Sequence, residues 1–214
     1  MASEPNVLIL GIGNLLWADE GFGVRAVEHL QRAYAFPDNV DVLDGGTQGL
    51  NLVGPVCEAD VLVVVDAVDF GGSPGTLHTA RDEDVPQFLG AKKMSLHQTG
   101  FQEVLATAEL LGQAPERLLL VGVQPEILED YGGSLTPTVA ARIDPAVEQV
   151  LAFLREFGLG VHRRQRSADS GPGVPAGALD QSRYEAERPG PEEACRFGDA
   201  RFLRQRTPSG ESTD

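Results

Sequence analysis

The chain has 214 residues and a formal net charge of −15, enough length for one domain with a sizeable core, alone or with an appendage. So acidic a body disfavours nucleic acid and anionic lipid as partners and favours a basic or metal-bearing one, although solubility alone also accounts for it. The charge is uneven: residues 1–160 carry 23 Asp and Glu against 8 Lys and Arg, whereas residues 161–214 carry 9 of each.

Pro5 to Ala18 is the longest charge-free run near the start. It is too short to span a bilayer and lacks a basic flank, so neither a signal peptide nor membrane insertion is expected. The two cysteines, Cys57 and Cys195, suggest neither a disulfide framework nor a CxxC metal site. A cytoplasmic protein is the expectation.

Four uninterrupted aliphatics, Val7 to Leu10, predict a strand buried on both faces, ended by Gly11 and Gly13. Val24, Val27, Leu30 and Ala33 then stand at helical spacing. Val40 to Leu43 predicts a second strand, Leu50 to Cys57 a short helix, and Val61 to Val65 a third, wholly apolar strand. After the turn FGGSPG, Thr76 to Thr79 reads as a weaker strand suited to an antiparallel edge. Thr99 to Leu111 predicts an amphipathic helix, Leu118 to Val123 another buried strand, and Pro137 to Phe157 a long closing helix with Gly158 as its stop. Such alternation implies βαβ units around a parallel sheet.

After Gly160 the pattern collapses into a segment rich in Arg, Gly, Pro and Ser with few large apolar residues, which cannot offset the entropy cost of folding. The chain therefore divides into a folded domain, 1–160, and a disordered tail, 161–214, in which Ala194 to Leu203 could form a short helix.

Three strand ends gather acids at the sheet's carboxyl edge, where open α/β sheets bind ligands beside a switch in strand order. The first strand delivers Asp19 and Glu20 through its loop, the second ends at Asp44 in LDGGT, and the third at Asp66 in VLVVVDAV. A carboxylate after five aliphatics is costly unless paired, hydrogen-bonded or metal-bound. Asp66 can thus be a loop cap or a ligand, whereas Asp69 reads as an ordinary solvated acid. Of the four histidines, His29 reads as a surface residue, His78 falls in the weak edge strand and His162 opens the tail. His97 precedes a helix and could reach the same edge. With Glu20 and Asp66 it forms a set suited to a divalent transition metal with open positions, at a spacing too wide for a local metal motif.

Two shorter motifs compete. GIGNLL begins like a dinucleotide fingerprint, with Asp44 where a ribose-binding acid would stand, but Leu16 occupies the third glycine position and WADEG puts two negative charges ahead of the helix. GGSPG matches a nucleophile elbow formally, yet Pro74 has no N–H for an oxyanion hole, so a loop turn is the better reading.

The colinear set GIGNLLWADEGFGV, LDGGTQGL, VVVDAV, SLHQTG, LVGVQPE and LTPTVAARI, over residues 6–157, resembles the hydrogenase maturation proteases. Those endopeptidases remove a carboxyl-terminal extension from the large subunit of nickel–iron hydrogenase. The resemblance implies a three-layer α/β sandwich with a central, mostly parallel twisted sheet and helices on both faces. It implies a metal-binding and catalytic set of Glu20, Asp66 and His97, and a role in substrate choice for Asp44, Gly45, Gly46 and Thr47. The expected partner is the large-subunit precursor, whose inserted nickel is sensed before cleavage; other divalent metals can occupy such a site in vitro. No core motif departs from the family pattern, whereas the tail after Gly160 has no counterpart in it.

Three ligands form an incomplete shell that a metal held by another protein's thiolates could share. The metal could polarise the scissile carbonyl or a bound water, or it could only anchor the precursor while a carboxylate serves as general base. Direct attack by water is expected in either case. A dinucleotide-binding oxidoreductase and a noncatalytic nickel chaperone are the competing readings.

Overall fold

The computed structural model describes residues 4–85, 96–128, 130–164, 184 and 186, with side chains in the 96–110 helix described from Gly100 onward. Strand β1 (Val7–Ile12) is buried throughout and hydrogen-bonded on both edges, in parallel, to β3 (Val40–Gly46) and β4 (Val61–Ala67). Beyond β4 lies β6 (Arg117–Val123), also parallel, and then β5 (Leu77–Arg81), which runs antiparallel at the edge. The sheet order is therefore β3-β1-β4-β6-β5. The weak strand expected near Thr76 to Thr79 is this edge strand, and the GGSPG segment before it is a turn in which the Thr76 N–H donates to the Ser73 carbonyl.

Alternate residues of each strand feed two separate cores. Val7 and Ile9 of β1 and Val61, Val63 and Val65 of β4 pack with α1 (Phe22–Ala33) and the closing helix. Leu8, Leu10, Leu62 and Val64 pack on the other face with α2 (Val53–Cys57) and α3 (Leu96–Leu110). Full burial of each such side chain contributes roughly 1.5–3 kcal/mol, so the double-sided strands drive the three-layer arrangement. With α1 crossing one face from β1 to β3 and α2 returning over the other to β4, the strand order switches between β1 and β4. That switch point fixes where a site can form.

Three helices differ from the sequence expectation. The helix expected over Leu50 to Cys57 starts with a 3-10 turn, Gly49–Leu52, before α2. Helix α3 begins at Leu96, three residues earlier than expected. The closing helix is two helices, α4 (Pro137–Ala140) and α5 (Ile143–Glu156). In a continuous helix Pro145 would clash with the Ala141 carbonyl and could not donate to it, so the chain breaks in the turn ahead of that proline. Gly158, at φ 71°, ends α5 as expected.

A second, two-stranded sheet pairs β2 (Tyr34–Ala35) with β7 (His162–Arg163), and Arg164 adds bonds from its N–H to the Ala33 carbonyl (2.8 Å) and from Nε to the Tyr34 carbonyl (2.7 Å). The tail expected to be disordered after Gly160 is thus paired with β2 over His162–Arg163, so the folded body runs on to Arg164; apart from residues 184 and 186, the rest of the tail, with the helix suggested for Ala194 to Leu203, lies outside the described residues. Two ion pairs tie the β5 edge to its neighbours: Arg81 grips Glu156 of α5 through both terminal guanidinium nitrogens, and Arg117 meets Asp82.

Candidate active site

The loop after β1 folds back on itself. Gly13, at φ 139°, lets the backbone turn where any Cβ would collide with the Glu20 carbonyl oxygen, and the Asn14 N–H donates to that same oxygen. The loop then tightens into the 3-10 turn Ala18–Gly21, which packs against β4, and α1 follows with Gly23 pressed onto the Ile12 and Val65 carbonyls. Glu20, half-buried in this turn, is thereby held at the end of β4, beside the switch point.

Its neighbour Asp19 has a different job. Asp19 is fully buried, and its carboxylate accepts from the N–H groups of Glu126 and Ile127 (each 2.9 Å), from the Thr136 N–H (2.7 Å) and from the Thr136 hydroxyl (3.2 Å). Neutral dipoles thus satisfy a buried charge that would otherwise be prohibitive. The loop after β1 is pinned to the chain between β6 and α4. Placing Asp19 and Glu20 together as edge acids captured their position and missed this division of labour.

Asp66 occupies the next-to-last position of β4 and is 1 % exposed; its Oδ1 accepts from the following Ala67 N–H at 2.7 Å. The loop beyond it is shaped by Gln124, 6 % exposed, whose Oε1 accepts from the N–H groups of Phe70 and Gly72 while its Nε2 donates to Asp69 Oδ1. Asp69 also accepts from the Gly71 N–H. Asp69 is therefore part of a fixed loop and not the solvated acid its sequence position suggests. Asp69 and Gln124 line a cleft of about 420 Å³ with Pro125, Glu126, Ile127 and Leu128.

On the other side of β1, β3 runs further than expected and carries Asp44 opposite Gly11. The register then slips, so that Ile12 faces Gly46 and Gly45 is the extra residue of a bulge. A Cβ on Gly45 would meet Ile12 Cδ1 at 2.8 Å, so a larger residue there would require the Ile12 side chain to shift. Burial raises the Asp44 carboxyl above its ordinary value even though the residue as a whole is exposed, and the Gly46 N–H opposes that shift. Thr47 follows in an exposed turn closed by the bond from the Gln48 N–H to the Gly45 carbonyl.

His97 stands in the first turn of α3, with its side chain outside those described. The α3 start approaches the turn after β3, since a Cβ on Gly100 would lie 3.6 Å from Gly49 Cα. Glu20, Asp66 and the Asp44 bulge thus share the carboxyl edge of the sheet. Among the described residues no three His, Cys, Asp or Glu side chains cluster as a metal shell, a count that cannot include His97. The other histidines serve elsewhere: His29 lies 3.4 Å from Asp144, His78 stacks on Phe70 and His162 is an exposed residue of β7. The Gly13 turn closes on Glu20, and Asp19 and Glu20 precede α1. This arrangement is opposed to pyrophosphate binding at that helix.

Comparison with known proteins adds an independent line. Residues 24–153 match the family model described as hydrogenase maturation protease. The hydrogenase expression/formation protein HupD of Thiocapsa roseopersicina is 60 % identical over 203 residues, 95 % of this chain and 92 % of that protein. The hydrogenase 2 maturation protease of Escherichia coli K12 is 48 % identical over 164 residues, covering 76 % of this chain and 99 % of that one. A solved structure of the hydrogenase maturating endopeptidase HybD from E. coli superposes with a TM-score of 0.71 at 47 % identity, over 75 % of this chain and 99 % of the other. The HupD alignment is too long to end at Gly160, so the segment after it does have a counterpart in such relatives, contrary to the sequence expectation.

Proposed function

The chain belongs to the hydrogenase maturation protease family and is an endopeptidase; from that premise we propose that it removes the carboxyl-terminal extension of a nickel-loaded [NiFe] hydrogenase large-subunit precursor. The observation that carries this reading is the juxtaposition at the switch point: the turn bearing Glu20 packs on β4, whose next-to-last residue is the buried Asp66. Two carboxylates, joined by the His97 imidazole, offer oxygen and nitrogen donors with positions left for ligands from the substrate. The nickel arrives as part of the precursor and is cargo of the reaction.

Water is the nucleophile in this reading. Ser73 sits in an exposed turn ahead of Pro74, and Cys57 lies in α2, which packs in the core on one face of the sheet. A site carboxylate accepts the proton of the attacking water, or the nickel polarises the scissile carbonyl. Asp44 and the Gly45–Thr47 bend select the substrate from the adjoining strand end.

The test uses one enzyme preparation with three substrates: nickel-loaded precursor, metal-free precursor and a peptide copying the cleavage junction. Mass spectrometry should show a single cut near the carboxyl end of the first and none in the others. Equal cutting of the metal-free precursor would refute nickel sensing. Nickel transfer without cleavage would favour a chaperone.

A further inference from the structure

The two loops that Asp19 ties together leave an unusual surface beside Glu20. Leu16 is 38 % exposed, Ile127 44 % and Tyr131 51 %. Backbone pairing makes them neighbours. The Gly132 N–H donates to the Leu16 carbonyl (2.7 Å), Trp17 and Tyr131 form an antiparallel bridge with their rings edge-on at 5.3 Å, and the Asp19 N–H donates to the Ile127 carbonyl (3.1 Å). Exposed apolar side chains on a hydrogen-bonded backbone mark a surface suited to a partner.

We propose that Leu16, Trp17, Ile127 and Tyr131 form the docking surface for the precursor segment that leads to the scissile bond, a segment combining apolar with basic side chains. The proposal rests on the peptidase reading above. Trp17 is three residues from Glu20 in one loop, so this surface adjoins the place where a scissile bond would meet Glu20. Exposed Glu126 and half-buried Asp130 rim it, on a body with 23 acids against 8 bases in residues 1–160. That field attracts a basic segment and repels a second copy of this chain.

The experiment compares wild type with the double variant Leu16→Ser, Ile127→Ser on nickel-loaded precursor, reading KM, kcat and, separately, precursor affinity. Burying the exposed parts of two such side chains corresponds to about tenfold in affinity. The double variant should therefore raise KM and weaken binding about tenfold while kcat stays within about twofold of wild type. Ile127 serves the Asp19 clamp only through its backbone, so folding is retained. Leu110→Ser with Leu111→Ser, exposed at the far end of α3, should change nothing. Unchanged affinity and KM in the Leu16, Ile127 double variant would overturn the proposal, as would a loss limited to self-association. A wild type that binds the precursor without cutting it would sink the peptidase reading and leave docking supported. Neither binding nor cutting would overturn both.

Discussion

Replacing Asp19 should damage stability in graded steps that the hydrogen bonds dictate. Its Oδ2 accepts from two backbone N–H groups and the Thr136 hydroxyl, and its Oδ1 from the Thr136 N–H. In Asp19→Ala all four donors lose their acceptor inside the protein, at a cost of about 3–5 kcal/mol, comparable to breaking other buried charged networks. Asp19→Asn has one better orientation, with its carbonyl facing Glu126 and Ile127 and its amide opposed to the Thr136 N–H. It should lose about 2–3 kcal/mol. At about 2–4 °C per kcal/mol for a domain of this size, the alanine variant should melt roughly 6–20 °C below wild type, with asparagine between them. Differential scanning calorimetry with urea titration measures both values. An asparagine variant as stable as wild type, or less stable than alanine, would refute the account of Asp19 as an acceptor-only clamp.

Glu20→Gln, Asp66→Asn and His97→Ala should each abolish precursor cleavage with circular dichroism unchanged; a variant that still cuts takes its residue out of the site. Because burial raises the Asp44 carboxyl, its ionisation opposes folding once pH exceeds the ordinary carboxylate range, so Asp44→Asn should not lower Tm at pH 7 even where it changes cleavage. Asp82 and Glu156 have the opposite sign. Burial pushes Asp82 up, but the Leu118 N–H and Arg117 outweigh it, and Arg81 lowers Glu156 through hydrogen bonding and charge. Their contribution is full above the ordinary carboxylate range and disappears as pH falls through the depressed values; an acid-unfolding profile identical in Arg81→Gln would contradict this. A chain ending at Arg164 should melt above one ending at Gly160, since only the former keeps the β2–β7 pairing; equal melting would show that the pairing adds nothing.

The fold was legible wherever burial left a pattern. Val7 to Leu10 and Val61 to Val65 are apolar because both faces of their strands are covered, and the helices between them show one apolar stripe. Boundaries were harder to read. Pro145 splits the closing helix through a backbone clash that leaves the hydrophobic period intact, and the β2–β7 pair is two residues long, too short for any period. At the site, the positions of Glu20, Asp44 and Asp66 followed from strand ends. The roles of Asp19 and Gln124 did not, because both are set by partners 52 to 117 residues away. The one available local signal was Thr136–Pro137, a helix cap followed by a proline at the first helical position, which marks where the clamp lands.

The span of the Asp19 clamp carries a consequence for the life of the newly made chain. The loop bearing Glu20 is written within the first tenth of the sequence, yet the groups that fix it come from Glu126, Ile127 and Thr136. While the ribosome is still making the β6-to-α4 connection, the Asp19 carboxylate lacks all four of its donors and the cleft beside Asp69 lacks its far wall. The clamp therefore closes late, with the stretch that follows β6, and the loop bearing Glu20 takes its final shape only when the domain is nearly complete.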